Sequence, residues 1–211
     1  MTPSSAGYFF EEPIPEPHCP VEPYYANDPF RPPINMVPKV LPWVIFLART
    51  DDTVLVIGDV RVYRTGFLYS LFGWLRPGTE PQPPRDAPWE GPSRPQSGWL
   101  LDGRVKIGAK PNALSPGDQF APGDPRAPRQ AGCGSEDQGI AFAQRRWVYP
   151  LPVGQSLDLF FAWPERGIPE RRIPVDLAEI MAAGPQTTVL WELPAPPETP
   201  DQGDGGRDAL G

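Results

Sequence analysis

The chain has 211 residues, 33 of them proline, and a formal net charge of −7. That length allows one ordinary domain with tails, or two small ones, and proline crowding argues against regular structure because proline donates no backbone N–H. The acidity lies in the ends: residues 1–42 carry net −3 and 192–211 net −4, while 43–191 balance sixteen acids with sixteen bases, so a basic nucleic-acid surface is not expected.

No apolar run approaches the ~18 residues of a membrane span; the longest, "VLPWVIFLA", has nine. The N-terminal stretch shows neither a basic nor an apolar leader region. Two cysteines, Cys19 and Cys133, make no disulfide framework and are expected as free thiols. The expectation is a cytoplasmic protein without membrane or nucleic-acid partners.

Residues 1–42 form a proline-rich arm, expected to be extended or disordered. It nevertheless carries Tyr8, Phe9, Phe10, Tyr24, Tyr25 and Phe30, more aromatics than a purely solvating tail needs. Extended proline-rich segments dock such rings onto a domain or a partner. The folded domain is expected to start at Trp43. In "WVIFLAR" both alternating faces are apolar, which predicts a strand buried on both sides or lying beneath a covering loop.

"TDDT" at 50–53 is a turn cluster. "VLVIGDVRVY" then predicts a strand with Val54, Val56, Val60 and Val62 on one face and Asp59, Arg61 and Tyr63 on the other, with Gly58 marking a bulge. "RTG" at 64–66 places Gly66 where a three-residue hairpin loop wants a left-handed residue. "FLYSLFGWLR" returns, with Phe67, Tyr69, Leu71 and Leu75 alternating against Leu68, Ser70, Phe72 and Trp74. Residues 43–76 thus read as a three-stranded meander.

Residues 77–97 and 109–141 are rich in Pro, Gly and Ala and read as long surface loops. Between them, Asp102–Gly103 separates two apolar runs, a tight-turn signal. "RRWVYPLPVGQSLDLFFAWPERGIPE" at 145–170 then reads as a hairpin. Trp147, Tyr149 and Leu151 share an inward face with Leu157, Leu159, Phe161 and Trp163 across a Pro-Gly turn. "IPERRIPVD" supplies an edge or irregular strand, given Pro169 and Pro174.

Asp176, with Glu179 three residues on, predicts a capped helix over 176–184, with Gly184 as its stop. "TTVLW" at 187–191 is a last strand, and 192–211 an acidic, disordered tail. About eight strands and one short helix, without repeated βα units, predict a mainly β, antiparallel β-sandwich over 43–191, with a barrel as the alternative. The Trp content suits such a core, since each aromatic buries ~150–250 Å².

Two blocks, "FLARTDDTVLVIGDVRVYRTGF" and "RRWVYPLPVGQSLDLFFAWPERGIPERRIPVDLAEIMAA", resemble a group of short actinobacterial proteins with no assigned activity. The group pairs an "LART-D" strand start and a "Y-x-TGF" hairpin with a later "W-x-W/Y-PLPP-G" hairpin, an "EWP-x-x-GI-E" corner and a final "LW". The resemblance covers residues 46–76 and 144–191 and implies no catalytic site. The chain departs from the pattern at Arg64, where proline is frequent, and at Ala162, where an acid is expected.

Chemistry-bearing patterns are scarce. His18 in "EPHCP" is the sole histidine and sits among prolines, without converging ligands. Asp51 and Asp52 read as a solvated turn before a calcium site, which needs ~6–8 oxygens. Glu165, Glu170 and Asp176 are explained as surface turns and a cap before paired hydrolytic carboxylates. Arg145–Arg146 and Arg171–Arg172 form an anion patch only if their strands adjoin. Trp89, isolated in a proline-rich loop, is least explained by a core and is, with Tyr24, Tyr25 and Phe30, a candidate partner anchor. No catalytic, metal or cofactor residue is assigned. The favoured function is a non-enzymatic interaction or structural module that binds a protein partner. A carboxylate-based hydrolase and a carbohydrate-binding sandwich are the alternatives.

Overall fold

In the computed structural model, which describes residues 28–79, 94–108 and 126–193, the long strand β4 (Thr53–Val62) organises the larger of two antiparallel sheets. β5 (Phe67–Leu75) pairs with one side of it. On its other side lie two short strands, β2 (Lys39–Leu41) and β3 (Ile45–Arg49). The sheet continues through β9 (Ala141–Tyr149) to β8 (Arg129–Asp137), giving the order β2-β4-β5-β9-β8 with β3 beside β4. The second sheet runs β11-β10-β6-β7, from Ile168–Val175, Leu157–Trp163, Gln96–Leu101 and Val105–Gly108. β1 (Met36–Val37) and β12 (Thr188–Val189) form a separate small ladder. The architecture is β-sandwich-like, and neither of the main sheets closes into a barrel.

The core lies between these sheets. Leu55, Ile57, Val60, Val62, Phe67, Tyr69, Leu71 and Val148 meet Trp99, Leu101, Ile107, Leu157, Leu159, Phe161 and Trp163. Helix α1 (Leu177–Ala183) adds Leu177, Ile180 and Ala183 at helical spacing. The Asp176 carboxylate accepts a bond from the Glu179 backbone N–H, as the cap signal predicts. The Glu179 carboxylate instead accepts from the Trp43 indole N–H at 2.6 Å, fastening the helix to the turn before β3.

The meander and the Asp102–Gly103 turn form as read. Asp102 and Gly103 both take positive φ, 51° and 67°, between β6 and β7. The predicted face of β4 is wrong for half the strand. Asp59 and Val60 together oppose the single Tyr69, because the register slips between Gly58 and Arg61. Asp59 takes φ 51°, a left-handed conformation that Asp tolerates better than branched residues. The bulge reverses the alternation, so Leu55 and Ile57 share the core with Val60 and Val62, while Val54 and Val56 face outward.

The predicted hairpin at 145–170 does not exist. β9 belongs to the larger sheet and β10 to the smaller, so residues 150–156 cross between layers. Trp147 packs with Leu68 and Tyr63 on the outer face of the larger sheet, and Tyr149 packs against that cluster. β9 and β10 each carry the expected apolar face, but they bury against different partners. The crossover is fastened by Asp102, whose carboxylate accepts from the Gln155 and Ser156 backbone N–H groups at 2.7 and 2.9 Å.

Several boundaries also shift. β1 and β2 precede Trp43, β6 starts at Gln96, and β8 occupies part of the segment read as a loop over 109–141. Thr187–Trp191 contains only the two-residue β12. Gly66 is absent from the left-handed glycines. Its reason is space: a Cβ there would overlap the Val148 carbonyl and lie 2.8 Å from the Trp147 ring. Gly184 has φ −51° and leads into a 3₁₀ turn, Gly184–Gln186, instead of a left-handed stop.

Two substitutions, each with a control, test these constraints by chemical denaturation. Asp59→Val should cost about 1–2 kcal/mol, the left-handed penalty of a branched residue, with Asp59→Asn retaining most of that stability. Gly66→Ala should cost about 1–3 kcal/mol through overpacking, whereas Gly132→Ala, where an added Cβ meets nothing within 4 Å, should leave stability nearly unchanged.

Candidate functional site

The two sheets differ on their outward sides. None of the large exposed apolar residues belongs to β6, β7, β10 or β11 of the smaller sheet. Its outer side carries Asp158, only 4% exposed, paired with Arg172 at 2.7 Å. This bond and the neighbouring charge raise the Arg172 pKa further.

The larger sheet is apolar on its outer side as well. Register aligns Phe46, Val56, Phe72 and Ala143 across four strands, and Arg49, Val54, Trp74 and Ala141 in the next row. Phe46 is 68% exposed, Val44 66% and Trp74 46%. The Phe72 and Trp74 rings lie 6.0 Å apart and nearly parallel, at 21°. Charged residues border the patch: Asp59 pairs with Arg61 at 2.8 Å, and Glu136 with Arg145 at 2.7 Å. A contiguous apolar patch rimmed by charge is the usual form of an interaction surface.

The opposite end of this outer face is already covered. The Trp147 indole N–H donates to the Pro29 carbonyl at 2.9 Å, and Met36 packs against Trp147, Leu68 and Tyr63. Burial raises the Cys133 thiol pKa beside this cluster, which disfavours the reactive thiolate. Phe30 lies in the covering segment, itself 49% exposed, with its backbone N–H bonded to the Asp28 carboxylate. Tyr24, Tyr25 and Trp89 lie outside the described residues, as do His18 and Cys19. Of the four candidate anchors only Phe30 lies among the described residues, and Val44, Phe46, Phe72 and Trp74 are not among the anchors expected from the sequence. The signal was present in the two-faced apolar pattern of "WVIFLAR".

Titratable side chains are mostly engaged in structural bonds. Asp52 accepts from the Thr50 and Thr53 hydroxyls at 2.7 and 3.1 Å and lies 3.4 Å from Arg166. The Thr50 bond leads, with Thr53 and Arg166 adding, in lowering its pKa. Arg166 also donates to the Thr79 carbonyl at 2.7 Å and lies over the Trp163 ring, linking the two layers. Between the sheets, the buried Tyr69 hydroxyl donates to Gln130 at 2.7 Å and meets Ser97 at 3.1 Å. Burial raises the Tyr69 pKa.

Arg145–Arg146 and Arg171–Arg172 lie in different sheets, so they form no paired strand patch. Glu165, Glu170 and Asp176 occupy a 3₁₀ turn, the edge strand β11 and the helix cap. Among the described residues no group of three or more His, Cys, Asp or Glu is placed to hold a metal ion. A separate apolar depression is lined by Leu151, Val153, Met181, Gly184 and Pro185, with Arg64 as its titratable group.

No protein-family model matches the chain, and searches of curated proteins and of solved structures give no match. No described helix is long and apolar enough to cross a membrane.

The Asp52 network gives a pH prediction. A carboxylate with a lowered folded pKa contributes stability above its unfolded pKa, and that contribution disappears as pH falls through the folded value. Asp52→Asn should therefore be less stable than the parent at neutral pH, with the difference closing below about pH 4, near the ordinary Asp pKa. Thermal melts of both proteins from neutral to acid pH would check it.

Proposed function

We propose that this protein is a non-enzymatic interaction module that binds a protein partner on the outer face of its larger sheet. The carrying observation is the exposure of Val44, Phe46 and Trp74, with the half-buried Val54 and Phe72 aligned in register around a buried Val56, on a sheet face that a monomer would ordinarily make polar. Rigid aromatic anchors within an apolar surface provide binding energy with little ordering cost. Bordering ion pairs suit a partner with an apolar centre and a polar rim.

The alternatives have less support. Trp99, Trp147 and Trp163 are 3%, 1% and 2% exposed, so these rings are buried and do not offer faces to a sugar. The open patch is dominated by apolar side chains and lacks the convergent polar groups that orient a sugar. For the hydrolase reading, Glu165, Glu170 and Asp176 occupy a 3₁₀ turn, an edge strand and a helix cap.

Site-specific photocrosslinking in the cells that make the protein tests the proposal. Benzoylphenylalanine at position 46 or 74 should give one discrete higher-mass protein adduct, whereas the same probe at Arg171 on the smaller sheet should give none. Phe46→Glu should abolish capture by a probe at 74. Failure to form an adduct at either patch position, or equal capture at 171, would refute this assignment.

A further inference from the structure

We infer that the polar cluster between the two sheets, beside Arg146, is a binding site for a small carboxylate, held by the Arg146 guanidinium and the Trp99 indole N–H. It lies on the inward side of the larger sheet, opposite the outer patch, and is independent of the partner proposed there.

The inward side of the larger sheet changes character towards its β8–β9 edge. β4 and β5 line the core with Leu55, Ile57, Phe67 and Leu71. Directly opposed residues of paired strands share a face. Arg146, opposite Tyr69, and Gln144, opposite Leu71, therefore turn inward as well. Gln130 joins them from β8, opposite the core residue Val148. Gln130 and Gln144 are each only 4% exposed. From the smaller sheet, Ser97 and Trp99 stand two residues apart on β6, on one side of that strand. Hydrogen bonds tie the layers together here. The Tyr69 hydroxyl donates to Gln130 Oε1 at 2.7 Å and lies 3.1 Å from Ser97 Oγ, while Gln130 Nε2 donates to the Ser97 carbonyl at 3.3 Å.

Two donors in this cluster lack an acceptor. Trp99 Nε1 and Arg146 Nε are both buried and make no hydrogen bond among the described residues. Both belong to the surroundings of the Tyr69 hydroxyl. The Trp99 and Tyr69 rings lie 5.1 Å apart, edge to face. Burial raises the Tyr69 pKa, and the Ser97 hydroxyl, the Arg146 charge and the nearby Trp99 N–H each oppose that rise. The Trp99 N–H nevertheless misses hydrogen-bond geometry to Tyr69. Arg146 gives one N–H to Gln144 Oε1 at 2.8 Å and forms no ion pair among the described residues. Its neighbour Arg145, on the outer side, pairs with Glu136. An orphaned buried donor forfeits its hydration without a bond in return, and an unpaired guanidinium turned into a core costs more. Departures of this kind concentrate where a protein binds something.

The chemistry selects the ligand. The cluster contains one cation, Arg146, whose planar N–H donors match the two oxygens of a carboxylate. The Trp99 indole is a donor only, so it also requires an acceptor oxygen. A single negative charge balances the site. A phosphate would bring about 1.5 to 2 charges at neutral pH to one cation, and a neutral amide would leave the guanidinium unpaired.

The test titrates the isotope-labelled full chain with sodium acetate, against sodium chloride at equal ionic strength. It reads the assigned Trp99 indole and Arg146 Nε–H resonances. Both signals should move along one saturable curve, and the melting temperature should rise with the same concentration dependence. Arg146→Gln should weaken acetate binding at least tenfold, whereas Arg145→Gln should leave it unchanged. Acetamide, of similar size without the charge, should bind at least tenfold more weakly than acetate, and inorganic phosphate no more tightly.

No saturable shift in the parent chain, an equal response to acetamide, tighter binding of phosphate, or unchanged affinity in Arg146→Gln would each overturn the inference. Should Arg146→Gln fail to fold, the Arg146 Nε–H signal of the parent chain decides, because it must respond to acetate and not to acetamide. Crosslinks from positions 46 and 74 report on the other side of the sheet, so either result stands without the other.

Discussion

The bulge at Asp59 is the constraint on which the two faces of this molecule depend. One extra residue in β4 carries Leu55 and Ile57 into the same layer as Val60 and Val62. It also divides the strand's other edge, which β3 pairs along Val54–Ile57 and β2 along Val60–Val62, with Pro42 between them. Asp59 supports the bulge through its own carboxylate, which accepts from Arg61 at 2.8 Å and from Ser70 at 3.4 Å. Without the slip, Val54 and Val56 would line the core and could not align between Phe46 or Arg49 and Phe72 or Trp74 on the outer side.

A second set of interactions holds the layers in place. Asp102 grips the 150–156 crossover from the β6–β7 turn, and Arg166 bridges the β10–β11 connection to Asp52 and Thr79. At the margin, the Asn35 side-chain amide donates to the Trp191 carbonyl at 2.8 Å, and the Leu190 N–H donates to the Asn35 carbonyl at 2.8 Å. These contacts bring residues far apart in sequence together at the ends of strands. Polar side chains there satisfy backbone groups that the sheets leave open.

The outer face of the larger sheet follows from the same geometry. One end is closed by Pro29 and Met36 over Trp147, and the other presents Phe46, Phe72 and Trp74. Covering such a patch is favourable because apolar area removed from water is worth about 25 cal/mol per Å².

The sequence determined the local elements whose residues carry their own reason. The alternation in β5 and β10, the Asp102–Gly103 turn, the Asp176 cap and the apolar spacing of α1 were all legible, because each depends on neighbours within a few residues. The β-sandwich class followed from their sum. Composition hid β8, whose Gly- and Ser-containing strand is held mainly by backbone pairing with β9, a bond that requires little of side chains. Tertiary structure alone decided that β9 and β10 part into different sheets, that the Asp59 bulge reverses β4, and that Phe46 and Trp74 form an open patch. Alternation shows that a strand has an apolar face, but what covers that face is fixed by chain segments far away in sequence.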